Sequence, residues 1–191
     1  MAEGVAPLTL DRLLDNPHGI DLGPLEPRLP EVLRTPSGMI ELDAAPLLAD
    51  LPRLQAVLDR PVPDAVLVGR RDLRSNNSWM HNLEVLVKGK ARCTLHVHPD
   101  DAARWGLIDG KSARVMGRVG ELEVPVEVTD AVRCGVVSLP HGWGHDSDGA
   151  RLGVAERHAG VNSNRLSDEM VLDTLSGNAV LNGIPVTVTP A

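Results

Sequence analysis

The stretch Leu122-Glu123-Val124-Pro125-Val126-Glu127-Val128 decides the fold class, because an apolar side chain occupies every second position. This period of two predicts a β-strand with one face turned toward a core. Residues 112–119 form the other arm of a predicted hairpin that turns at Gly120. Since Pro125 has no amide hydrogen, we expect it at a sheet edge or a bulge.

Short apolar runs bounded by turn residues predict further strands on both sides of this hairpin. After Pro99, two aspartates indicate the start of a short helix that stops at Gly106. The sequence therefore predicts a mainly β protein, a small barrel of six or seven strands with one short helix and long loops at 70–82 and 141–166. The further strands are expected at 65–69, 92–98, 135–140 and 185–189, with a possible short extended piece at 83–87.

The first 63 residues have a different character, with ten of the fifteen prolines and no lysine. Proline interrupts helices, so only short helices are predicted here, at 8–14 and 47–58. We predict a Pro-rich acidic N-terminal arm or linker over residues 1–63 and the barrel domain over residues 64–191.

Composition excludes several classes of function. The formal net charge is −7 and Tyr and Phe are absent, which disfavours binding to nucleic acid or to an anionic membrane. Residues 1–10 carry no leader-like pattern, so a cytoplasmic location is expected. Cys93 and Cys134 stand alone in apolar stretches, which predicts buried free thiols in a reducing compartment.

The loop that follows the first predicted strand carries unusual chemistry. Residues 69–92 hold six Arg or Lys against two Asp or Glu, a net of +4 in an acidic chain. This local positive charge indicates an anionic ligand, and Ser75, Asn76 and Asn77 could donate hydrogen bonds to a pyrophosphate or a base. A solvated surface loop is the alternative, and the residues alone do not decide between them.

Two later stretches are further candidates. His141 and His145 are four residues apart, but the glycines between them predict a loop, so we expect ligand lining or loop packing and no metal site. Asn162 and Asn164 have the mixed donors and acceptors that suit a purine. The alternative there is a helix capped by Ser167.

Four motifs follow one another along the chain: Gly69-Arg70-Arg71 with Ser75-Asn76-Asn77-Ser78-Trp79-Met80-His81-Asn82, His98-Pro99-Asp100-Asp101-Ala102-Ala103, Leu139-Pro140-His141-Gly142-Trp143-Gly144-His145, and Asn164-Arg165-Leu166-Ser167. Their order and spacing resemble the C-terminal molybdopterin-dinucleotide-binding domain of the dimethyl sulfoxide reductase and formate dehydrogenase family. The match spans roughly residues 65–190, and the upstream Pro36-Ser37-Gly38 also fits.

This resemblance implies a double-psi β-barrel that binds molybdopterin guanine dinucleotide, with Mo or W supplied by the rest of the enzyme. The partner of the chain would be the rest of a catalytic subunit. The chain would not be catalytic alone, because no metal ligand or catalytic residue lies in the matched region. The implied cofactor-binding residues are Arg71, Ser75, Asn76, Asn77, His141, Gly142, Trp143 and Asn164, with Asn162 and Asp173 as weaker transfers.

Two other functions are alternatives to this one. A double-psi barrel can serve as a protein-interaction or substrate-binding module without a cofactor, with residues 1–63 as the partner-binding segment. The Ser and Asn side chains beside three arginines favour the cofactor. A pyruvoyl-dependent decarboxylase on this barrel needs a self-cleaving Gly-Ser pair, and the sequence has none.

Overall fold

The computed structural model describes residues 7–191, which divide into two compact units between Ala49 and Asp50. The first unit contains helices α1 (Leu10–Leu14) and α2 (Ala45–Leu48), and α1 confirms the helix predicted at 8–14. The expectation that residues 1–10 carry no leader falls partly on residues 1–6, which lie outside the described residues.

The second unit begins with helix α3 (Leu51–Leu58). The helix predicted over 47–58 is confirmed over Leu51–Leu58, but residues 47 and 48 belong to α2 and a break separates the two helices. Pro52 explains the break, since a proline cannot donate the backbone hydrogen bond of a helix interior but fits the first turn of a new helix.

Six strands close into a barrel in the order β1-β5-β2-β4-β3-β6. β1 pairs with β5 and β2 with β4 in parallel, while the other neighbours are antiparallel. The mainly β class and the double-psi barrel architecture are confirmed. The strands are β1 (Ala65–Arg70), β2 (Leu95–Val97), β3 (Ser112–Met116), β4 (Glu121–Val128), β5 (Val136–Pro140) and β6 (Ile184–Pro190).

The core fills the barrel with small and branched side chains. In β4 the residues Leu122, Val124 and Val126 are buried while their neighbours face outward, which confirms the predicted alternation. Burial of such side chains in alternate positions is the main force that closes the barrel. Trp143 is the one aromatic side chain in the described part of the core.

The position expected for Pro125 is wrong, because β4 lies between β3 and β2 and so is not an edge strand. Pro125 faces Ser112 in β3, and the parallel pairing with β2 begins only at Val126. The missing amide hydrogen therefore falls where the second ladder has not yet started.

The short elements and the two cysteines around the barrel give two confirmations and two corrections. Helix α5 (Pro99–Trp105) is confirmed and ends at Gly106, whose φ is 67°. Residues Glu84–Val87 form helix α4, so the extended piece predicted there is wrong; tertiary packing of Val87 overrides the β preference of valine. Cys93 is buried as expected, but Cys134 is exposed in the turn before β5.

Two further short helical elements lie in the loop after β5. Helix α6 spans Gly153–Glu156, and a 3₁₀ turn spans Ser163–Leu166. Within residues 7–191 no helix has the length and apolar character needed to cross a bilayer.

Candidate functional site

The loops that carry the predicted residues meet at one end of the barrel. β1 and β5 are parallel neighbours in a register that places Arg70 beside Pro140, so both strands finish at the same level. Their following loops, residues 71–82 and 141–145, therefore emerge together. We call this the loop end of the barrel.

Two predicted residues, Arg71 and His141, contact the side-chain oxygen of a third, Asn77, at the loop end. Arg71 donates from Nη1 to Oδ1 of Asn77 over 2.5 Å, and Nε2 of His141 lies 3.1 Å from the same oxygen. The other ring nitrogen of His141 is 3.2 Å from the carbonyl oxygen of Arg70. Side chains far apart in sequence are thus joined directly.

Backbone contacts at glycines lock the loops together. Gly142 has a φ of +87°, and a Cβ at this position would lie 2.0 Å from the carbonyl oxygen of Asn77. A Cβ on Gly144 would lie 2.6 Å from the Cβ of Asn162. Glycine is therefore required at both positions, and the loops bearing Asn77, Gly142 and Asn162 form one packed unit.

The turn at Asn76 and Asn77 has an unusual backbone. Both residues are left-handed, with φ of 42° and 64°. Asparagine tolerates this region better than most residues, which explains the residue type. The turn leaves both side chains exposed at the loop end.

Arg70 braces the barrel beneath this site. Its guanidinium donates to the carbonyl oxygen of Ser138 over 2.5 Å and to that of Thr94 over 2.7 Å. Burial lowers the pKa of Arg70. Arg70 is thus committed to structure, whereas Arg71 is exposed.

A cleft of about 250 Å³ opens at the loop end. Arg71, His141 and Asn164, three of the residues predicted to bind the cofactor, line it. The structure adds polar residues that sequence reasoning missed, namely Ser163, Ser167 and Asn182. The Asn182-Gly183 turn before β6 was the available clue. Oδ1 of Asn182 accepts a hydrogen bond from the amide of Gly69 over 2.7 Å.

The cleft retains hydrogen-bond donors for a ligand. The bond to Asn77 uses one of the five N–H groups of Arg71, and the described residues give the other four no partner. The side-chain amide of Asn164 is exposed and likewise has no partner in the part of the chain that is described. These groups suit an anionic ligand with polar edges.

Ser75 has a different environment from its neighbours. It is buried, and its Oγ lies 2.6 Å from Nε2 of His81. Nδ1 of His81 lies 2.7 Å from Nε2 of His145, and its ring stacks on Trp143 with centroids 3.9 Å apart. This chain of contacts fixes both loops from below, so Ser75 and Trp143 do not line the cleft directly.

The surroundings of the two histidines in this chain of contacts disfavour the charged imidazolium form. Burial lowers the pKa of His81, and the neighbouring His145 lowers it further. Burial likewise lowers the pKa of His145. A neutral pair can share one hydrogen between the facing ring nitrogens.

The remaining predicted residues fall in two places. Asn162 accepts the amide hydrogen of Asn164 at its Oδ1 over 3.0 Å and so caps the 3₁₀ turn. No helix begins at Ser167, so the alternative of a helix capped by this residue is wrong. Asp173 lies outside the cleft, where it binds Ser176 and forms an ion pair with Arg53 at 3.2 Å.

Comparison with known proteins places this fold. The family model of the molydopterin dinucleotide binding domain matches residues 65–185. The chain is similar to the dimethyl sulfoxide/trimethylamine N-oxide reductase of Rhodobacter capsulatus, with 39% identity over 77 residues, 40% of this chain and 9% of that protein. Against the probable oxidoreductase YoaE of Bacillus subtilis, identity is 29% over 148 residues, 75% of this chain and 21% of that protein.

A further relative and a solved structure are also similar to this chain. The biotin sulfoxide reductase of Cereibacter sphaeroides is 35% identical over 68 residues, 35% of this chain and 9% of that protein. Acetylene hydratase from Pelobacter acetylenicus shares the fold, with a TM-score of 0.59 and 20% identity over 82% of this chain and 24% of that chain.

These comparisons confirm the resemblance seen in the motifs. The family model covers most of the chain, which itself spans between 9% and 21% of the curated relatives it matches. The chain belongs to the molydopterin dinucleotide binding domain family, and its role is to bind a molybdopterin-type cofactor.

Proposed function

We propose that this chain binds molybdopterin guanine dinucleotide as the C-terminal part of the catalytic subunit of a molybdenum or tungsten oxidoreductase. The supporting observation is that Arg71 and His141, which both line the cleft, also both contact the side-chain oxygen of Asn77. In this proposal Arg71 and the Asn76-Asn77 turn hold the pyrophosphate. Asn164, with Asn182 beside it, faces the guanine.

The chemistry of the cleft suits one end of such a cofactor. A guanidinium with several N–H groups to spare pairs well with phosphate oxygens, and amides pair with base edges. The volume of about 250 Å³ is below that of sites for drug-sized ligands, so it accommodates a part of a dinucleotide. The bound cofactor supplies two-electron redox chemistry at its metal, while this chain binds and orients it.

Apolar side chains of the loop after β1 and of helix α4 are exposed to solvent. Leu73 is 97% exposed, Trp79 is 80% exposed, and Val85 is 62% exposed. Contact with a further protein segment would bury this apolar surface. The rest of the catalytic subunit is the proposed partner.

The two free thiols support a cytoplasmic location. Residues 1–63 are proposed as the arm that precedes the barrel.

Nucleotide titration of the isotope-labelled chain tests this proposal. We expect guanosine diphosphate to shift the amide resonances of residues 70–77 and 141–142 and the side-chain amide of Asn164. Adenosine diphosphate should act through the phosphates alone and leave Asn164 unchanged. Resonance shifts away from the loop end, or none at all, would contradict the proposed positions of the pyrophosphate and the guanine.

A further inference from the structure

The end of the barrel opposite the loop end brings together His98, Asp100 and Cys134. β2 and β5 are antiparallel, so the residues that follow β2 meet those that precede β5. His98 and Asp100 follow β2, and Cys134 precedes β5. We call these three residues the distal cluster, and no part of the cofactor cleft includes them.

The donor atoms of the distal cluster are close to one another. Sγ of Cys134 lies 3.1 Å from Nδ1 of His98 and 3.8 Å from Oδ2 of Asp100. The same carboxylate oxygen lies 3.6 Å from Nδ1 of His98. These three atoms therefore form a compact triangle of sulfur, nitrogen and oxygen donors.

A neighbouring contact holds the two segments in place. Asp101 is buried, and its Oδ2 accepts the amide hydrogen of Gly135 over 2.6 Å. Arg104 forms an ion pair with Asp101 over 3.0 Å. Because Gly135 follows Cys134 directly, this contact fixes the thiol beside helix α5. The triangle is thus built on a braced scaffold and does not depend on a free loop.

We propose that the distal cluster binds a divalent ion of the zinc class through Cys134, His98 and Asp100, with water as a fourth ligand. Zinc takes such ligands at about 2.0–2.3 Å in a tetrahedron, which places donors about 3.3–3.7 Å apart. The observed separations of 3.1–3.8 Å need only small adjustments. Sulfur and imidazole donors favour zinc over the harder calcium and magnesium ions.

Binding of the ion requires two local changes in the distal cluster. The Cys134 thiol must release its proton to solvent, and one thiolate and one carboxylate then neutralise the charge of the ion. Nδ1 of His98 also loses the hydrogen bond that it accepts from the backbone amide of Asp100, whose nitrogen lies 3.2 Å away. Asp100 and Cys134 are exposed, so an ion can enter directly from solvent. The site would clip the β2–α5 turn to the start of β5.

Cobalt titration of the full chain, reduced and freed of metal by a chelator, tests the proposal. We expect one Co²⁺ to bind with a thiolate-to-cobalt charge-transfer band and visible bands of tetrahedral intensity, and Zn²⁺ to displace it. Cys134→Ser should abolish the charge-transfer band. His98→Asn keeps a side-chain oxygen that can cap the helix but lacks the imidazole ligand. This variant should weaken Zn²⁺ binding more than about tenfold, because the loss of a residue that only orients a metal ligand already reduces metal affinity by about that much.

Matched variants separate ligation from general damage. His96→Gln alters the neighbouring histidine on β2, and Cys93→Ala removes the other thiol; both should keep the cobalt spectrum. A spectrum without a charge-transfer band, or wild-type Zn²⁺ affinity in Cys134→Ser and His98→Asn, would overturn the proposal. The outcome is independent of cofactor binding at the loop end, because the two sites share no residue.

Discussion

At the scale of single residues, His81 links the two loops of the proposed cofactor site without lining the cleft. It contacts Ser75, His145 and Trp143, and it is 1% exposed. Ser75 immediately precedes the left-handed Asn76-Asn77 turn, and Trp143 follows Gly142. The position of the turn therefore depends on a side chain that does not touch the ligand.

The lowered pKa of His81 and His145 makes stability depend on pH. In the folded chain the pKa of each of these histidines lies below the ordinary value of 6.5. In mild acid the unfolded chain therefore binds more protons than the folded chain. Stability is full above that value and is lost as pH falls toward the folded-state pKa, by up to about 1.4 kcal/mol per pH unit for each histidine. Urea unfolding at a series of pH values between about 7 and 5 measures this slope.

Substitution identifies the source of that slope. His81→Gln should make the free energy of unfolding fall less steeply with acid than in the wild type. His158→Gln, which alters an exposed histidine, is the matched control and should leave the slope unchanged. Equal slopes in the wild type and His81→Gln would contradict the assignment.

Part of the site was predictable at this scale, and part was not. Arg71, Asn77 and His141 carry charge or donors in recognisable motifs, and the structure places them together. His81 and Asn182 were missed, because their roles depend on partners 64 and 113 residues away in sequence. The sequence motif groups Ser75 with the ligand donors, yet folding turns its side chain inward.

At the scale of elements, the cofactor site depends on loops that pack backbone against backbone. Gly142 and Gly149 provide a matched pair to test this, since both have a φ of +87°. A Cβ at Gly142 meets the carbonyl oxygen of Asn77, while a Cβ at Gly149 meets nothing within 4 Å. The two glycines share the same φ and differ in their surroundings.

We expect Gly149→Ala to cost only the left-handed strain, about 1–2 kcal/mol. Gly142→Ala should cost about 1–3 kcal/mol more, because the methyl group must displace the Asn77 backbone. Urea denaturation of both variants measures the difference. Equal losses of stability would show that the loops do not depend on this contact.

Secondary structure was predictable where local pattern and tertiary packing agree. The alternation in β4 and the proline and aspartates that open α5 predict both elements correctly, because they encode burial and capping locally. The short helix at Glu84–Val87 was not predictable from its valines, since packing decides its conformation. Likewise, sheet closure placed Pro125 away from any edge, which a single strand cannot indicate.

At the scale of the whole molecule, the barrel separates two kinds of chemistry. The loop end gathers a positive and amide-rich surface within a chain of net charge −7, and the distal cluster lies at the other end. The parallel pairing of β1 with β5 produces this separation, because it brings the loops at 71–82 and 141–145 to one end.

The most direct test is the affinity of the chain for molybdopterin guanine dinucleotide, measured by calorimetry for the wild type, Arg71→Glu and Arg74→Glu. Both arginines lie in the same loop and are exposed, but only Arg71 lines the cleft. Arg71→Glu should weaken binding by about tenfold or more, since it removes a charge-assisted contact. Arg74→Glu should stay within about threefold of the wild type. Equal affinities of the wild type and Arg71→Glu would contradict the proposed site.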